Sequence, residues 1–121
     1  MKKTVLLCLA LIIVLCGCLG NSIDAPNADD AYLAVNEYLR CKEFIVISDE
    51  HIHDCIKLVE YDSDKEKYKF EINYNPFELF PESYEDDDNV QIYKNTLFVV
   101  KKEQIYNVVS KENEYLFTYY S

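Results

Sequence analysis

Four side chains able to ligate a metal or act as nucleophiles fall two residues apart in the segment Asp49-Glu50-His51-Ile52-His53-Asp54-Cys55. Residues two apart share a face of an extended chain. Asp49, His51, His53 and Cys55 would then line one side, and carboxylate, imidazole and thiolate are the ligand types of a Zn²⁺-like ion. The plainer reading of the same residues is an exposed turn leading into a strand. Cys41 and Cys55 form a second pair of interest. In an exported domain two cysteines more often make a disulfide than stay free, and closing a loop of this length contributes ~3 kcal/mol through chain entropy. Two free buried thiols are the alternative, and a disulfide competes with the metal reading for Cys55. A third cluster, Glu82, Glu85, Asp86, Asp87 and Asp88, lies in a stretch with no Lys or Arg. It suits Ca²⁺ or a cationic partner, against the plainer reading of a solvated acidic loop. It lacks the Asp-x-Asp-x-Asp-Gly order of an EF-hand.

No Ser sits in a nucleophile elbow, and the only two His are His51 and His53. The expectation is therefore a protein that is not an enzyme and has no cofactor. Both Gly, Gly17 and Gly20, lie ahead of the folded part, so no Gly-rich phosphate loop exists. With 22 acidic against 12 basic residues and a net charge of −10, a nucleic-acid-binding surface is excluded as well.

The N-terminus carries a different kind of information. Met1-Lys2-Lys3 is followed by Val5 to Cys16, an unbroken apolar run, and no charge appears between Thr4 and Ile23. A basic start, a short apolar core and small residues after it form the secretory signal pattern. The run is short of the ~20 apolar residues that a spanning helix needs. Leu15-Cys16-Gly17-Cys18 resembles the lipobox of prokaryotic lipoproteins. That resemblance implies cleavage after Gly17 and a diacylglycerol on the Cys18 thiol, although Cys16 departs from the residues usual at its position. It covers only this N-terminal segment. The chain is expected to divide into a signal peptide at 1–17, a lipidated Cys and tether at 18–27, and one small domain at 28–121. Loss of Lys2 and Lys3 with the signal takes the charge from −10 to −12.

The elements that would position these residues come next. Asn27 or Asp29 can cap a helix, and Asp29 and Asp30 suit its positive end. Ala28, Ala31, Tyr32, Val35 and Leu39 recur at helical spacing, which predicts a helix ending near Cys41 to Glu43. The period then changes to two. Phe44-Ile45-Val46-Ile47 predicts a short strand and Ile56 to Tyr61 a second. A polar turn leads to Tyr68, Phe70, Ile72 and Tyr74, which alternate with Lys67, Lys69, Glu71 and Asn73. Asn75 to Asn89 reads as a long loop. Val90 to Tyr93, a tight turn at Lys94-Asn95, Leu97 to Lys101 and Gln104 to Ser110 follow. The last strand, Glu114 to Tyr120, is apolar at both parities and so reads as central. With no Gly in the domain, turns must use Asn and Asp.

The fold class expected is α+β, with one N-terminal amphipathic helix packed on a mostly antiparallel sheet of five to six strands. The function expected is that of a small envelope lipoprotein, anchored to the outer face of the plasma membrane or to an outer membrane. Its domain would bind a ligand, an envelope protein or a cationic partner without chemistry. A metal-binding lipoprotein and a purely structural envelope protein are the other two readings.

Overall fold

Helix α1 covers Ala28–Lys42, with Asp29 and Asp30 in its first turn and Arg40 and Lys42 in its last. Both sets of charges complement the helix dipole. The computed structural model describes residues 23–80 and 91–121. Cys18, the apolar leader and the acidic Glu82 to Asp88 cluster lie outside the described residues. Asn27 occupies the N-cap position, but in left-handed conformation (φ 57°) and without a side-chain capping bond. The C-terminus of α1 closes differently from a simple fraying end. Phe44 takes φ 58°, and the Ile45 N–H reaches back to the Leu39 carbonyl at 3.0 Å. Phe44 thus holds the left-handed position just after the C-cap where glycine is usual, and Ile45 and Leu39 are both buried in the core.

The expected strand at Phe44 to Ile47 is therefore not a strand. Ile45 and Ile47 are buried while Phe44 and Val46 face solvent. The burial alternates as in a strand, yet the segment pairs with none of the sheet. Asp49–His51 forms one 3-10 turn, and Ile52–Cys55 a single turn of helix, α2.

The sheet is a five-stranded antiparallel meander. Its strands are β1 (Ile56–Asp62), β2 (Lys67–Tyr74), β3 (Tyr93–Lys102), β4 (Ile105–Val109) and β5 (Tyr115–Tyr120), in the spatial order β1-β2-β3-β4-β5. The β1–β2 turn is held by Asp62, whose Oδ1 accepts from the Asp64 and Lys65 amides. Two expectations are corrected here. Lys94 and Asn95 are not a turn but lie inside β3, paired with Asn73 and Ile72. β5 is not central but is an edge strand. A one-turn helix, α3 (Pro76–Leu79), opens the loop after β2. Asn75 caps it through Oδ1 to the Phe77 amide at 3.0 Å, and Pro76 fits its first turn.

α1 lies across one face of the sheet, over β3, β4 and β5 and reaching β1. Ala31, Tyr32, Ala34, Val35, Tyr38 and Leu39 of α1 are buried against Tyr68, Phe70 and Ile72 of β2, Leu97 and Val99 of β3, and Tyr106 and Val108 of β4. Cross-strand pairs Phe70–Leu97 and Val99–Val108 line up this face. Each fully buried aliphatic or aromatic side chain contributes roughly 1.5–3 kcal/mol. The positive-φ positions are Asn27, Phe44, Glu66, Glu103 and Asn113. Turns thus use two Glu and a Phe besides Asn.

The stretch from Ile23 to Asn27 reads in sequence as tether, but it is fixed to the domain. The Ile23 amide donates to the Leu58 carbonyl at 3.2 Å, and the Tyr68 hydroxyl donates to the Pro26 carbonyl at 2.6 Å.

Candidate functional site

The residues singled out for chemistry are dispersed by helical geometry. Because Asp49 to Cys55 winds through a 3-10 turn and α2, residues two apart no longer share a face. Asp49 is exposed. The His51 ring stands edge-on to Phe80 at 5.2 Å and lies 3.5 Å from both the Glu50 and the Asp54 carboxylates. His53 turns the other way, edge-on to Tyr32 at 4.8 Å. Cys55 points into the core and is 1% exposed. Burial, helped by the Asp54 carboxylate, pushes its thiol up to about 11, so it stays protonated at neutral pH. Among the described residues no three His, Cys, Asp or Glu side chains are grouped to hold a metal ion. The two cysteines are not joined: both are free, Cys41 exposed near the end of α1 and Cys55 buried. The Cys41 thiol faces the Glu37 carboxylate at 3.9 Å.

What the fold does build at this place is a cleft between α1 and α2. One side of α1 contributes Asp29, Tyr32, Leu33 and Asn36, which recur at helical spacing. Ile52 and His53 of α2 form the opposite wall, and the space is about 230 Å³. α2 is a single turn that packs on β1 and β2, and the cleft lies between it and α1. Tyr32 anchors its floor. The Tyr32 ring packs edge-on to Phe70 at 5.0 Å, and its hydroxyl accepts from the Leu58 amide at 3.2 Å.

Asn36 is the unusual member. Among the described residues its Oδ1 is the one buried side-chain polar atom with no hydrogen-bond partner. Such an atom costs about 1–3 kcal/mol in desolvation. Asn36 is also one of the residues that line the cleft. The cleft can hold a compact apolar group that carries a hydrogen-bond donor, with the Asp29 carboxylate among its lining residues as an acceptor. The stripe legible in the sequence, Ala28, Ala31, Tyr32, Val35 and Leu39, does not include Asn36. The available signal was a poor helix former in the middle of a helix. The cleft volume lies below the ~300–1,000 Å³ of a site for a drug-sized molecule, so it fits a single side chain or small headgroup.

Comparison of the chain with protein-family models, with curated proteins and with solved structures finds no match.

Proposed function

We propose that this chain is a small lipoprotein of the cell envelope. A diacylglycerol on Cys18 holds it at a membrane, and its α+β domain acts by binding and not by chemistry. The observation that carries the reading is Leu15-Cys16-Gly17-Cys18, set behind Lys2-Lys3 and an apolar run too short to span a bilayer. Among the described residues no helix is long and apolar enough to cross a membrane. Two acyl chains give stable attachment at ~0.8 kcal/mol per buried CH₂. Binding is supported by the cleft lined by Tyr32, Asn36 and His53. The buried, protonated Cys55 thiol and the His51 ring packed against Phe80 argue against a nucleophile–base pair in that region.

The test is fractionation of cells expressing the full chain. The wild type should sediment with membranes and resist a high-salt wash. Cys18→Ser should leave the signal uncut or release the chain from the lipid-modified pool, seen as loss of labelled fatty acid. Equal fatty-acid incorporation in both would remove the lipoprotein reading.

A further inference from the structure

The backbone of Leu58 in β1 draws three segments together. Its amide donates to the Tyr32 hydroxyl on α1, and its carbonyl accepts from the Ile23 amide, both at 3.2 Å. Among the described residues β1 pairs with β2 alone, so these bonds sit at a margin of the sheet. An exposed apolar side chain stands at each contact: Ile23 itself, Leu33 next to Tyr32, and Val59 next to Leu58. Val59 has no partner in the β1–β2 register, which shifts between Leu58 and Glu60, and such a bulge re-aims a side chain. Ile52 joins Leu33 in lining the cleft between α1 and α2. Apolar side chains that gather, unlike those scattered singly, mark a contact surface. Around them Asp24, Asp29, Asp54 and Glu60 outnumber Lys57, and all five are exposed.

What covers this margin follows from the chain ahead of it. The inference rests on the lipoprotein reading, in which the diacylglycerol sits on Cys18, five residues before Ile23. Five residues, even fully extended, reach less far than the 15-residue α1 is long. The Ile23–Leu58 bond is therefore held close to the bilayer surface. The bilayer is the partner whose place beside Ile23, Leu33 and Val59 is fixed by the covalent chain itself.

We infer that the β1 margin is a lipid-contact surface. Ile23, Leu33, Ile52 and Val59 rest in the headgroup layer of the bilayer that holds the chain's own diacylglycerol, and the acidic rim selects headgroups that end in an ammonium group. Apolar side chains sunk to the boundary between headgroups and acyl chains, with a polar rim in the headgroups, are the pattern of an interfacial surface. The sign of the rim decides which lipids suit it. Carboxylates are repelled by an anionic leaflet within a Debye length of it. An ammonium group donates to them instead, and Asp29 offers a carboxylate in the lining of a cleft of about 230 Å³.

The test uses the full chain, expressed with labelled fatty acid, purified from membranes and placed in vesicles of phosphatidylcholine and phosphatidylethanolamine. Cys41→Ser removes the exposed thiol, and Cys55 is buried. On that background Leu33→Cys, Val59→Cys and Lys42→Cys are each labelled with an environment-sensitive dye. Lys42 lies about 2.5 turns beyond Leu33 and so on the opposite side of α1. Dyes at the Leu33 and Val59 positions should emit to the blue of the dye at Lys42. Nitroxide-bearing lipids should quench them more, and aqueous iodide less. Phosphatidylglycerol in place of phosphatidylethanolamine should weaken all three effects. Dyes at Leu33 and Val59 as open to iodide as the dye at Lys42, on a chain that carries fatty acid, would overturn the inference and leave the anchor standing. Lipid quenching that holds or grows in phosphatidylglycerol would overturn the choice of headgroup. A chain that takes up no fatty acid would remove the anchor and this inference with it.

Discussion

The hydroxyl of Tyr68, in the middle of β2, donates to the carbonyl of Pro26 at 2.6 Å, across 42 positions of sequence. The Tyr68 ring is fully buried beside Tyr61, 4.7 Å away. The segment ahead of α1 is thereby held by the core and not merely attached to it. Tyr68→Phe keeps the ring and removes one bond, so it should cost about 1 kcal/mol. Denaturant midpoints at an unchanged m-value would measure it. Amide exchange of Ile23, whose N–H donates to Leu58, should speed up more than the global change. Equal exchange in both proteins would show that the contact does not fix the segment.

Phe44 is 85% exposed and adopts φ 58° at the end of α1. A non-Gly residue there costs roughly 1–2 kcal/mol, and glycine is the residue this motif favours. Phe44→Gly should therefore stabilise the domain by about 0.5–1 kcal/mol after the entropy of glycine is subtracted. A rise in denaturant midpoint is the expected reading.

Asn36→Leu should also stabilise, by about 1 kcal/mol or more. It removes an oxygen that is buried without a donor and substitutes a better helix former. Thermal or urea unfolding checks this directly. A loss of stability would show that the amide has a structural partner.

Stability should fall at alkaline pH. Burial raises the Cys55 thiol from 9.0 to about 11. Burial, with the Asp30 carboxylate second, raises the Tyr106 phenol from 10.0 to about 12. Both groups are neutral when protonated, so below about pH 9 neither ionises in either state and their stabilisation is fully present. As pH rises the unfolded chain ionises first, unfolding releases protons, and stability is lost up to about pH 12. Melting temperatures across that window should decline, and Tyr106→Phe should lessen the decline above pH 10. Iodoacetamide at neutral pH should modify exposed Cys41 and spare Cys55 until the domain is unfolded.

The readable parts of the sequence were those where one face is wet and the other dry. Tyr68, Phe70 and Ile72 against Lys67, Lys69 and Glu71 announce β2, and the Ala31 to Leu39 stripe announces α1. Periodicity reports which side chains are covered. It does not report what the backbone bonds to. Ile45 and Ile47 are covered like strand residues, but after the left-handed turn at Phe44 their backbone pairs with no strand among the described residues. Asn95 reads as a turn former because its side chain competes for backbone groups. It does so inside β3, with Oδ1 accepting from the Thr96 amide and Nδ2 donating to the Tyr93 hydroxyl. β5 looks central because apolar residues occupy both parities, although among the described residues it has a neighbour on only one side. The Asp49 to Cys55 set failed for a single reason: two-residue spacing means convergence only in an extended chain. The cleft at Asn36 was hidden because its walls come from two helices, one of them a single turn long.

The bond from Ile23 to Leu58 has a consequence for how the domain stands. If Cys18 carries the lipid, any conformation of the chain between it and Ile23 spans at most about 18 Å. The mooring is therefore short, and it is made at the β1 margin. The β5 margin lies four strand spacings away, about 19 Å across the sheet. With a lipid on Cys18 the domain would be moored on its β1 side, and β5 would lie on the side away from the mooring.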